Sequence, residues 1–190
     1  PPPPPPPPPP LFFSMHKTAS DLPLRLVGSE MCIRDRMDIK IRRATAGDAE
    51  GIAKLFDDYR LFFGEPSDLP LAQDFIADRL HHTESVIFFA QTPKERCVGF
   101  AQLYPSFSSV SAGRVWILND LFVTESARGM GIGTKLLSEI KAFGSNSNAK
   151  SILVETTSSN TGAQKLYETT GYQEVSDRIF YEQVISDNKD

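Results

Sequence analysis

The chain reads as an α/β protein, a sheet with helices on both sides, and three observations point that way. Segments of strand periodicity alternate with segments of helical periodicity along residues 37–190. Helical runs stand between several of the strands, which predicts parallel pairing there, while a short turn joins one pair, which predicts a hairpin. No repeat or linker interrupts this stretch, and its length suits one domain with a sizeable core.

The elements follow in order. "DIKIRRA" is a short strand. Thr45 and Asp48 have the spacing of a capping box, and the helix they open carries Ile52, Leu55, Phe56 and Tyr59 on one face. The loop "FGEPSDLP" leads to a second helix with Leu71, Phe75 and Leu80 on its apolar side. "SVIFFAQ", the turn "TPKER" and "CVGFAQLY" form a hairpin. "YPSFSSVSAGR", Tyr104 to Arg114, reads as a long polar and aromatic connection, and "RVWILNDLFVT" as the strand after it. The next helix sets Ile132, Leu136, Leu137, Ile140 and Phe143 on one side and ends at "GSNSN". "SILVETT" is a strand, "NTGAQKLYETT" a short helix, and "GYQEV" and "RIFYEQVI" are the closing strands.

Residues 1–36 read differently. They open with ten prolines, and "LVGSEMCIRDR", Leu26 to Arg36, back-translates codon by codon into a run resembling the adapter ligated to DNA fragments for sequencing. The expectation is a non-native prefix, set aside from the fold, with the domain beginning at Met37. The alternative is a disordered, proline-rich tail able to recruit a proline-binding domain.

Residues 37–190 hold 16 Lys+Arg against 21 Asp+Glu, with no long basic stripe, which argues against nucleic acid as a partner. No apolar run reaches bilayer length, so no membrane partner is expected. The one cysteine in this stretch, Cys97, fits a reducing, cytoplasmic setting, and with no histidine nearby it reads as packing.

The chemistry concentrates in "ESARGMGIGTKLL", where Gly129, Gly131 and Gly133 alternate behind Arg128. The order Gly133-Thr134-Lys135 rules out a Walker loop, and the G-x-G-x-G spacing rules out the dinucleotide fingerprint. A strand that ends in small residues and then opens a helix still presents backbone N–H donors and partial positive charge, which suits a pyrophosphate. A side chain at 131 or 133 would block that approach.

Together, "LNDLFVTESARGMGIGTKLL" and "ILVETTSSNTGAQKLYETTGY" resemble the GNAT superfamily of N-acetyltransferases. Arg128, Gly131 and Gly133 match the family's coenzyme grip, and Asn160, Ala163, Tyr167, Gly171 and Tyr172 match its downstream pattern. The resemblance implies a mixed, mostly antiparallel sheet splayed at its centre, between the strands of Asp120 and Glu155. Acetyl-CoA, the co-substrate, would lie in the opening. Its pyrophosphate would meet the backbone of Gly129, Met130, Gly131, Ile132, Gly133 and Thr134 with help from Arg128. Its pantetheine arm would pair with Leu121, Phe122 and Val123 and reach Asn160, which is also a favoured helix N-cap. No metal is implied, and homodimers are common in the family.

The reaction that the resemblance implies is direct attack of a primary amine in a ternary complex. The ammonium must first lose a proton, the tetrahedral oxyanion needs a donor such as a backbone N–H of the splayed strand, and the leaving thiolate is helped by an acid. The family's acid corresponds to Tyr167, which also falls with Ala163 and Leu166 at core spacing. "WILNDLFV" resembles the strand of diamine acetyltransferases in which two adjacent acidic residues meet the amine. Here the first position is Asn119. Asp120 is therefore the candidate base, alone or through water, with Glu155 the second. The expected acceptor is a small amine: a diamine, a polyamine or an amino-acid-like compound. A protein or peptide N-acetyltransferase, or a non-catalytic acyl-CoA-binding sensor, are the alternatives. Tyr104, Phe107 and Trp116 are candidate walls of the acceptor pocket, and His81 and His82 are expected to face solvent.

Overall fold

The computed structural model describes residues 38–94, 96–176, 179 and 181–183. Five strands form one sheet in chain order: β1 (Lys40–Arg43), β2 (Val86–Gln91), β3 (Cys97–Ser108), β4 (Gly113–Val123) and β5 (Ser151–Val154). β1 to β4 pair antiparallel. β4 and β5 pair parallel, joined through helix α3 (Ile132–Asn146), as a crossover connection requires. Helices α1 (Ala49–Phe62) and α2 (Leu69–His81) precede the sheet's centre, and α4 (Thr161–Thr169) follows β5.

The two faces of the sheet bury two different cores. Val86, Phe88, Ala90, Ala101, Leu103 and Leu118 pack with Leu136, Leu137 and Ile140 of α3. The alternate residues Ile87, Phe89, Phe100 and Phe122 pack with Ile52 and Leu55 of α1 and Ala72 and Ile76 of α2. Because both faces of β2 are covered, its sequence is a continuous apolar run rather than an alternating one. The predicted capping box forms, on a 3-10 turn (Ala46–Asp48) that leads into α1. The Thr45 N–H and hydroxyl both donate to Asp48 Oδ2, at 2.9 and 2.8 Å.

Several expectations change. Helices stand between β1 and β2, yet that pair is antiparallel, because two packed helices and not one connect the strands. Leu71 is 49% exposed, and α2 instead buries Ala72 and Ile76, because Pro70 sits in its first turn and Asp68 caps it, which sets the rotation of the helix. "YPSFSSVSAGR" is not a long connection. β3 runs on through Pro105 to Ser108 and the turn back to β4 occupies only residues 109–112, so Tyr104 to Ser108 pair with Ile117 to Gly113. Its polar residues mark the outer end of a long hairpin with few apolar neighbours. "GYQEV" is not a strand: residues 171–175 form a turn and extended chain without a ladder partner among the described residues. Of "RIFYEQVI", Ile179 and Tyr181 to Gln183 carry no strand, and the rest lies outside the described residues. Among the described residues no helix is long and apolar enough to cross a membrane.

Candidate functional site

The sheet opens where the β4–β5 ladder stops. The last pair is Leu118 with Val154, after which β4 continues for five residues with β3 alone. A bulge marks the same point: Gln102 opposes Asp120 and Leu103 opposes Leu118, so Asn119 stands between them without an opposite residue. A bulge bends its strand and re-aims the neighbouring side chains. From this fork spreads a cleft of about 840 Å³, walled on one side by Asn119 to Val123 apart from Asp120 and on the other by Glu155, Thr156 and Thr157.

One end of the cleft is the glycine loop. Gly129 and Gly131 have φ of 76° and 75°, left-handed values that cost a side-chain-bearing residue strain, and Gly131 is the N-cap of α3. The first donor within the helix is Lys135 N–H, to the Gly131 carbonyl at 3.1 Å. The N–H groups of Ile132, Gly133 and Thr134 therefore lie ahead of the helix ladder, as at any helix start. Arg128, Gly129, Gly131, Ile132, Gly133 and Thr134 line the cleft, whereas Met130 turns outward, 39% exposed. Gly133 has a reason the sequence did not show. A Cβ there would stand 2.8 Å from Leu166 Cδ2, so the glycine lets α4 lie close against the start of α3. Arg128 donates from Nε to the Val123 carbonyl at 3.1 Å, and its guanidinium lies over Phe62 and Phe122 at 5.4 and 6.0 Å from the ring centroids.

α4 supplies the opposite wall. Asn160 caps it, accepting from Ala163 N–H at 3.2 Å, and also lines the cleft. Tyr167 joins both of its expected settings: it packs on the α3-side core, 5.6 Å from the Tyr172 ring, and it borders the cleft. Burial pushes its phenol pKa up, so it stays protonated.

Asp120 is not on the cleft surface. It is 3% exposed, on the α1 side of β4, and it accepts a hydrogen bond from Asn119 Nδ2 at 3.1 Å and has the Tyr59 hydroxyl beside it. Burial pushes its carboxyl above the ordinary value of 3.8, and those two neighbours offset only part of the rise. Tyr59 lines the cleft, so the carboxylate meets it through its partners. Across the strand pair, Gln102 is fully buried and donates to Ser85 Oγ (3.1 Å) and Tyr104 Oη (2.7 Å).

The native state thus holds the Asp120 proton more tightly than the unfolded chain. Stability therefore falls as pH rises from the ordinary value through the raised one. Asp120→Asn is expected to raise the melting temperature at pH 7, by about 2–4 °C for each kcal/mol of cost relieved. The gain should vanish below about pH 4, where the native carboxyl is neutral. Melting curves across pH check this, and an Asn variant that melts lower at pH 7 refutes it.

The proposed aromatic walls lie elsewhere. Trp116 is buried against Phe143 (4.9 Å) with its Nε1 donating to Ser147 Oγ, Phe107 is 68% exposed at the hairpin tip, and Tyr104 sits behind Asp120. The aromatic wall is Tyr59, Phe62 and Phe63 from the last turn of α1, with Phe122 of β4. Their i, i+3, i+4 spacing was the available signal, continuing the core stripe of α1 beyond the sheet edge. His81 and His82 are exposed at the end of α2, and Cys97 packs against Gly51. Among the described residues no group of acids, histidines or cysteines is arranged to hold a metal.

A fork in a mixed sheet, a helix start aimed into it and a facing tyrosine helix define an acyl-transfer fold. The family model for the GNAT acetyltransferases matches residues 52–172, and the chain belongs to that family. The Bacillus subtilis (strain 168) protein named uncharacterized N-acetyltransferase YhfO is 45% identical over 143 residues, 75% of this chain and 95% of that protein. A solved structure of a probable acetyltransferase has a TM-score of 0.74 at 40% identity, covering 78% of this chain and 99% of the other. An aminoglycoside N-acetyltransferase in complex with CoA shares the fold, at a TM-score of 0.63 and 24% identity, over 76% of this chain and 94% of its own.

Proposed function

We propose that this acetyltransferase moves the acetyl group of acetyl-CoA to the primary amine of a small molecule, a diamine, a polyamine or an amino-acid-like compound, by direct attack in a ternary complex. The observation that carries the reading is the fork itself. Beyond Leu118 and Val154 the facing edges of β4 and β5 are separated by a cleft that runs from the helix-start donors, past Tyr167, to the wall in front of Asp120.

The chain's groups divide the work by position. The N–H groups at the start of α3, with Arg128, suit the pyrophosphate once the guanidinium leaves the Phe62 face. The free edge of β4 at Leu121 to Val123 suits the amides of the pantetheine arm, as an added strand does. Asn160 borders that path. Tyr167, protonated and, among the described residues, without a carboxylate partner, is the acid for the thiolate, and Asp120 is the base. Glu155, at the end of β5, faces the cleft and draws a cationic acceptor. Phe62 and Phe63, 59% and 58% exposed at the mouth, favour a peptide acceptor as the second reading.

Thiol release from acetyl-CoA with spermidine, lysine, sisomicin and an alanine-ended peptide tests it. Release that depends on one of the small amines is the expected result. Release with the peptide alone supports the second reading. Silence across the panel while acetyl-CoA still raises the melting temperature refutes turnover of small amines and favours a sensor.

A further inference from the structure

We infer that Tyr59 carries the acceptor's proton to Asp120, so that the base of this site is a tyrosine–aspartate pair and not a carboxylate touching the amine. The inference rests on the small-amine reading above and adds a residue to it. Its grounds are geometric. Asp120 is almost fully buried and does not border the cleft, whereas Tyr59 lines the cleft and packs its ring on Phe100 and Phe122, on the same face of the sheet as Asp120, with its hydroxyl beside the carboxylate. Asn119, the other bridge, lines the cleft and donates to Oδ1, but an amide donor cannot pass a proton onward at neutral pH. A hydroxyl both accepts and donates, so only the tyrosine offers a route.

The step balances without a further reactant. An N–H bond of the ammonium breaks as the Tyr59 oxygen gains that proton, and the phenol's own proton passes to the Asp120 carboxylate. The nitrogen keeps the electron pair with which it attacks the thioester carbonyl. Asp120 ends the step neutral and returns the proton by the same path after product leaves.

The surroundings match this direction of flow. Around Asp120 stand Tyr59 of α1, Tyr104 of β3 and Asn119, and among the described residues no Lys, Arg or His pairs with it, so nothing cationic holds it ionised. Burial therefore makes the carboxylate a readier proton acceptor than one in water. Burial and the neighbouring Asp120 charge also keep the Tyr59 phenol protonated, so it relays a proton and never serves as a standing base. The two cleft tyrosines thereby separate. Tyr59, set beside a carboxylate, takes a proton away, while Tyr167, raised by burial alone, has one to give.

Tyr59→Phe keeps the ring, its edge contacts with Phe100 (5.9 Å) and Phe122 (6.2 Å), and the aromatic wall, and removes only the relay. The expected result, with the panel's most active amine, is a fall of about 10²-fold in kcat/KM at neutral pH. The pH profile should also lose its acid limb and climb steadily toward the amine's own pKa. Asp120→Asn should give the same profile, and the double variant should be no slower than either single one, as members of one unit behave. Acetyl-CoA affinity, read by titration calorimetry, should not move. A lower rate with an unmoved pH profile overturns the relay and leaves Tyr59 a wall residue, as does full activity. If no amine speeds thiol release by the unaltered protein, the small-amine reading falls and the relay with it.

Discussion

Tyr167→Phe is expected to lower kcat and kcat/KM together by about 10²–10³-fold, the range of a lost general acid, while acetyl-CoA binds as before. The variant differs by a single oxygen atom. The ring is held by packing: it lies 5.6 Å from the Tyr172 ring and against the core beside Leu166, and phenylalanine preserves all of this. What goes is the hydroxyl of a residue that lines the cleft. A departing thiolate is then expelled bare, which matters only once the C–S bond is breaking, so the loss belongs to the transition state and not to binding. Burial raises the Tyr167 pKa, and an acid must be protonated to act. The donor form therefore persists to higher pH than an ordinary phenol would allow, and the unaltered protein should hold its rate into alkaline solution. Rates across pH with both proteins, beside a melting curve for each, check this. A variant that keeps its rate shows that the thiolate leaves unassisted and that Tyr167 is a packing residue.

How far the sequence foresaw this site depends on whether local spacing or long-range contact sets each part. The glycine loop, the capping Asn160 and the helical register of Tyr167 are local features, written within a few residues, and each lies where its spacing put it. Asp120 shows the opposite case. Its identity was legible, but its burial comes from α1 crossing the face of β3 and β4, contacts with residues some sixty positions away. The same is true of Tyr59, which reads as one more member of a core stripe and becomes a cleft residue because it packs on Phe122, past the end of the β4–β5 ladder. Gly133 looked like part of an anion grip, and its nearest obligation proves to be Leu166, on a helix formed some thirty residues later. The β3–β4 hairpin is longer than its sequence suggests because the strand's outer half, Tyr104 to Ser108, has little to bury, so periodicity fails where the ladder still holds.

Gly131→Val should weaken acetyl-CoA binding by about 10²-fold or more while leaving a folded protein, and the contrast with Gly133 explains why. Gly131 sits at φ 75°, ψ 12°, where a side chain costs about 1–2 kcal/mol, more when β-branched. That strain alone would lower the melting temperature by several degrees. The larger effect falls on the ligand. A Cβ at Gly131 meets no atom within 4 Å, so the added side chain stands in open space at the head of α3, where the proposed pyrophosphate must approach the N–H groups of residues 132–134. Displacing that anion by even one ångström costs most of several charge-assisted hydrogen bonds. Gly133→Ala differs in kind: its methyl meets Leu166 Cδ2, the free end of a side chain that can turn aside, and so presses on α4 rather than on the ligand. It should bind acetyl-CoA within a few-fold of the unaltered protein and, by shifting α4, lose rate through Tyr167. Calorimetric titration of acetyl-CoA into both variants, with melting curves, separates the two effects. Equal affinity in Gly131→Val and the unaltered protein would mean that the head of α3 does not hold the coenzyme.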